Sequence, residues 1–100
     1  MSGFLFYEIT IQVRCVDTGN ILLQTGLTLR GATLIEILAQ AQTQLTAILG
    51  QLLALNLNCT NYSARVTDET VGIDYTVYSS SLIVLIAEVY TELVFVLATL

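Results

Sequence analysis

The sequence predicts an α+β fold in which two β-hairpins are each followed by a long apolar helix, in the order ββαββα. The whole chain, residues 1–100, reads as one self-assembling domain with a single layer or small sheet packed on helices. Three observations carry this. Four runs, in two pairs, alternate apolar and polar residues with the period of a strand. Two others repeat apolar residues with the period of a helix. Turn residues separate the alternating runs.

The first alternating run is Phe4 to Val16. Tyr7, Ile9, Ile11, Val13 and Cys15 fall on one face, with Glu8, Thr10, Gln12 and Arg14 on the other. Such a period of two marks a half-buried strand. Asp17-Thr18-Gly19-Asn20 follows as a turn, with a glycine available for positive φ. Ile21 to Arg30 alternates again, Ile21, Leu23, Leu27 and Leu29 opposing Gln24, Thr28 and Arg30. Two such runs around a turn form a hairpin.

Gly31 interrupts the alternation, and a helical period starts. From Leu34 to Leu55, Leu34, Ile37, Leu38, Leu45, Ile48, Leu49, Leu52 and Leu55 gather on one arc. The opposite arc holds Glu36, Gln40, Thr43, Gln44, Ala47, Gly50 and Gln51. Ala, Leu, Gln and Glu are good helix formers, so propensity agrees with pattern. This polar arc carries one charge, where a water-facing helix normally carries several. It suits contact either with the hairpin or with another subunit.

Asn56 to Thr60 is polar and irregular. Tyr62, Ala64 and Val66 then alternate with Ser63, Arg65 and Thr67, and Asp68-Glu69 can turn the chain. Val71, Ile73, Tyr75 and Val77 alternate with Gly72, Asp74 and Thr76 to complete a second hairpin. Ser79 to Ser81 can supply an N-cap. Leu82 to Leu100 is apolar apart from Glu88, Thr91, Glu92 and Thr99. Its Val and Ile content suits a strand, but no turn residue breaks a run too long for one. Ser81, Glu88, Glu92 and Thr99 line up in one narrow stripe of a helix.

Composition bounds the function. The chain holds 100 residues, 55% hydrophobic and 11% charged, against about 25% charged in an average soluble domain. It has no His, Pro or Trp, and Arg14, Arg30 and Arg65 account for all three basic residues. The net charge of −5 and the scattered arginines speak against nucleic acid, which is held through Lys and Arg on phosphates. The same shortage speaks against docking on anionic lipid headgroups. Without His or Lys, no nucleophile and base can be paired, so neither an enzyme nor a small-molecule substrate is expected.

Short motifs add little chemistry. Cys15 and Cys59 permit one bridge, and the sequence alone leaves it open whether they meet. Without a C-x-x-C or Cys/His cluster, no zinc site or other cofactor is expected. Asn58-Cys59-Thr60 and Asn61-Tyr62-Ser63 fit the glycosylation pattern, at a rate composition nearly explains. Glu88 and Glu92 stand four apart without a base nearby and read as a solvated or interface stripe. Asp17, Asp68, Glu69 and Asp74 lack calcium-loop spacing and read as turn and strand acids. The N-terminus shows no basic n-region and no signal-like apolar run. The chain is expected to stay inside the cell until assembly, or to have lost a leader.

The resulting expectation is a structural subunit that self-assembles into a filament, tube or shell, such as a pilus-like fibre, phage tail tube or capsid component. Its partners are other copies of itself, in an extracellular filament or virion. Strand edges in monomers are usually guarded by Lys, Pro or bulges, and this chain has neither Lys nor Pro. The interface is expected at Leu85, Val89, Leu93, Val96 and Leu97 of the last helix and at Gln40, Gln44 and Gln51 of the first. The alternative is a small membrane protein anchored by residues 82–100. At about 1.5 Å per residue that helix would span close to a hydrocarbon core, but Glu88 and Glu92 would lie near its centre.

Overall fold

The structure is a computed structural model that describes residues 4–55 and 58–100. Readings made on Met1–Gly3, Asn56 and Leu57 lie outside the described residues. The element order is β1 (Leu5–Cys15), β2 (Ile21–Gly31), α1 (Leu34–Leu53), β3 (Tyr62–Asp68), β4 (Ile73–Ser79) and α2 (Leu82–Ala98). Fold class and order agree with the sequence reading. The two hairpins join into one antiparallel sheet, ordered β2-β1-β3-β4. The hairpins therefore meet through their first strands.

Odd-numbered residues of β1 and even-numbered residues of β3 turn to one face. Tyr7, Ile9, Ile11, Val13, Tyr62, Ala64 and Val66 are buried there with Leu27 and Leu29 of β2. Both helices cover this face, α1 against β2 and α2 against β3 and β4, and the helices touch each other. The core closes with Ile37, Ala41, Leu45, Ile48 and Leu52 from α1 and Leu85, Ile86, Val89, Leu93 and Leu97 from α2. Among the described residues, the opposite sheet face has no helix on it.

The alternation in β2 fails at one point. The β1–β2 register shifts between Val13 and Arg14, leaving Leu22 as an extra residue. Such a bulge puts the residue on its far side, here Ile21 opposite Arg14, on the other face of the sheet. Ile21, predicted to share the face of Leu23, Leu27 and Leu29, is exposed for this reason. The two turns behave as their residues require. Gly19 and Gly72 have positive φ of 76° and 75°, a region that costs other residues strain. The second turn spans residues 69–72, starting at Glu69 as predicted but running two residues further, so Val71 falls in the turn rather than in β4.

Each helix start is capped. The Thr33 hydroxyl accepts from Glu36 N at 3.2 Å while Glu36 Oε1 accepts from Thr33 N at 3.1 Å, a reciprocal capping box. Ser81 Oγ accepts from Val84 N at 3.3 Å to start α2. With that cap and an apolar stripe facing the sheet, the Val and Ile content of residues 82–98 does not prevent a helix. Tertiary packing overrides strand propensity here.

Cys15 and Cys59 form a disulfide with a Cα–Cα distance of 5.9 Å across 44 residues of sequence. It ties the end of β1 to the segment entering β3. Cys15 is buried, as its parity with Ile9, Ile11 and Val13 predicts.

Candidate interaction surface

Leu85, Val89, Leu93 and Leu97, predicted at a subunit contact, lie instead within the protomer's own core, each at most 4% exposed. The reason is amphipathic. The residues share one stripe of α2, and the sheet takes that stripe. Val96 is half-buried against the same core. These residues correct the expected interface: in this fold they face β3, β4 and α1.

Gln40 and Gln44 are also occupied within the chain. Gln40 Oε1 accepts from Arg30 N at 3.0 Å, and its Nε2 donates to Arg30 O. Gln44 Nε2 donates to Thr28 O at 3.0 Å. The α1 glutamines thereby imitate a neighbouring strand and cover part of the outer edge of β2. A chain without Lys or Pro guards an edge with amides instead. Gln51 is exposed on the last part of α1.

With the core satisfied, apolar groups remain outside. Ile35, Leu53, Ile83, Val84 and Phe95 are exposed on the helices, Phe95 to 67%. A groove of about 350 Å³ runs between the helices, lined by Leu45, Leu49, Ile83, Ile86, Ala87 and Tyr90 among others. Glu36, Glu88 and Glu92 are exposed and are the only charges on either helix. In the predicted stripe, Ser81 is the N-cap of α2 and Thr99 its C-cap. Tyr75 donates its hydroxyl to Val89 O at 2.7 Å. Burial, and secondarily the charge of Glu92, pushes its hydroxyl above the ordinary tyrosine range.

The helix-free sheet face is polar, and Arg65 pairs with Asp74 there at 2.9 Å. Bonding to Arg65 holds the Asp74 carboxyl below its usual value. The face ends in a step. β1 pairs with β2 from Leu5 to Arg14, but with β3 only from Thr10 to Cys15. A recess of about 690 Å³ opens beyond the end of β3, lined by Glu8, Thr10, Arg65, Thr67 and the β3–β4 turn. Sequence reasoning missed this step. Its signal was the unequal length of the two hairpins.

Two of the turn and strand acids, Asp68 and Asp17, are held by threonines. Asp68 is buried on the helix side, its Oδ1 accepting from Thr70 N at 3.1 Å and from the Thr70 hydroxyl at 2.6 Å. Its Oδ2 has no partner among the described residues. Asp17 lies beside the disulfide sulfurs, but bridged cysteines offer no thiolate. The Thr60 hydroxyl donates to Asp17 Oδ2 at 2.6 Å, and this bond above all lowers the Asp17 pKa. Asn58 and Asn61 are both exposed near the bridge.

No family model, curated protein or solved structure matches the chain. Among the described residues, no helix is long and apolar enough to cross a membrane.

Proposed function

We propose that this chain is a non-enzymatic structural subunit that assembles with copies of itself into a filament, tube or shell. The observation that supports the reading is the apolar surface left after the core is complete. Phe4, Phe6, Ile35, Ile83, Val84 and Phe95 are all exposed, and no basic residue interrupts either helix. Large exposed apolar patches on small proteins mark interaction sites. In this reading the two long helices offer their outer faces, not their core stripes, as contacts.

The disulfide fits an oxidising setting such as an extracellular fibre or virion surface. A membrane anchor at 82–100 would have to withdraw Leu85, Val89, Leu93 and Leu97 from the core. Negative-stain microscopy of purified protein without detergent tests the proposal. Ordered polymers, in which the interfaces of each subunit bury more than about 2,000 Å² in total, are the expected result. Flotation with liposomes and no polymer under any condition would overturn it.

A further inference from the structure

We propose that Cys15, Cys59 and Asp17 form a site for a thiophilic divalent cation, Zn²⁺ above all, when the bridge between the cysteines is reduced. The fold brings together what the sequence keeps apart. Cys15 and Cys59 are separated by 44 residues, so no short ligand spacing marks them. One ligand atom from each of the three residues lies within 4.8 Å of the other two. Four-coordinate zinc, with Zn–S about 2.3 Å and Zn–O about 2.0 Å, needs its ligand atoms about 3.5–3.8 Å apart. With their Cα atoms 5.9 Å apart, the two freed cysteines reach that spacing by side-chain rotation alone. Two thiolates beside one carboxylate favour zinc over magnesium or calcium, which prefer an all-oxygen set.

Bonds other than the disulfide hold the three residues together. Cys15 opens a turn in which its N–H donates to Asn20 O at 2.9 Å and its carbonyl accepts from Gly19 N at 2.7 Å. It is also paired with β3, opposite Tyr62. Val16 N donates to Asn61 O at 2.8 Å, which holds the segment of Cys59 against the turn. Asp17 is fixed from the same segment, its Oδ2 accepting from the Thr60 hydroxyl at 2.6 Å and from Thr60 N at 3.3 Å. Its Oδ1 is left to a cation, and a ligating carboxylate is normally oriented by such outer hydrogen bonds. Asp17 is exposed while Cys15 is buried, so the cation sits at the surface with water in its fourth position. The chemistry balances. A dithiol reductant gives two electrons and two protons to the S–S bond, leaving two thiols here and its own disulfide. Zn²⁺ then displaces both thiol protons to solvent and takes the thiolates. A small-molecule disulfide reverses this: it accepts the two electrons and leaves as two thiolates, the Cys15–Cys59 bond re-forms, and the cation departs. Cation and bridge exclude each other, and each ties the end of β1 to the segment entering β3. A chain that meets a reducing compartment before an oxidising one keeps that tie in both. The site is independent of self-assembly.

Titration of the full chain with Zn²⁺ against a chromophoric chelator, after reduction with a phosphine, tests the site. The expected result is one Zn²⁺ bound per reduced chain, with about two protons released as the thiols ionise, and none bound by the oxidised chain. Asp17→Asn should weaken binding by at least about 10-fold, the loss that follows removal of even an outer partner of a ligand. Cys59→Ser should remove it. A folded reduced chain that competes with the chelator no better than the oxidised one would overturn the site. So would binding that Asp17→Asn or Cys59→Ser leaves unchanged. Where reduction unfolds the chain, circular dichroism gives the answer instead: Zn²⁺ is expected to restore the folded signal, and failure to restore it would equally overturn the site.

Discussion

Gln40 and Gln44 show how single side chains decide what an exposed strand does. Each uses an amide to bond the backbone of β2, and a net hydrogen bond is worth about 1 kcal/mol. Gln40→Ala with Gln44→Ala is expected to lower unfolding free energy by about 2–3 kcal/mol, since Gln40 bonds twice. The double variant should also aggregate faster through the uncovered edge, which light scattering reads. Thr33→Ala removes half of the capping box and should cost about 1 kcal/mol in chemical denaturation. Asp17 and Asp74 have folded pKa values below their ordinary ones, through Thr60 and Arg65 respectively. Their contribution to stability is complete above the ordinary carboxylate value and is lost as pH falls through the lowered ones. Thr60→Val should remove the Asp17 share of that acid dependence. Tyr75 acts at the other end. Its raised pKa means that stability is full below the ordinary tyrosine value and declines as pH rises past it, a loss that Tyr75→Phe should abolish.

At the scale of elements, the disulfide and the two helices carry separate loads. Closing 44 residues is worth about 4 kcal/mol in the chain-entropy treatment, so Cys15→Ser with Cys59→Ser should lower the unfolding free energy by about that amount. The outer helix faces add little to folding. Ile83→Glu with Phe95→Glu should change protomer stability by less than about 0.5 kcal/mol per site while raising the concentration needed for assembly, as sedimentation would show. The elements themselves were legible because alternation and helical period report burial directly. Ile37 and Leu52 are buried where the arc of α1 requires. What could not be read is what covers each arc. One apolar stripe on α2 looks the same whether a sheet or a second subunit takes it, and the intramolecular sheet took Leu85, Val89, Leu93 and Leu97. Ile21 was misplaced because a bulge leaves no trace in composition. The recess beside Glu8 depends on where β3 stops relative to β1, a register fixed only by tertiary pairing.

For the whole molecule, the chain is a two-layer structure with a completed core and large hydrophobic side chains left exposed on both the sheet and the helices. Extents of 50 × 23 × 18 Å make it elongated, because the β1–β2 ribbon runs past the second hairpin. Under the proposed self-assembly, such an elongated unit would offer the outer helix faces and the outer edge of β4 as contacts in different directions. Contacts that do not close on themselves generate helical polymers, and closed ones generate shells. Sedimentation velocity across a concentration series, in detergent-free buffer, tests the central claim most directly. The expected outcome is a shift from the 10.9 kDa protomer to discrete larger species as concentration rises. A single 10.9 kDa boundary up to high micromolar concentration would contradict it.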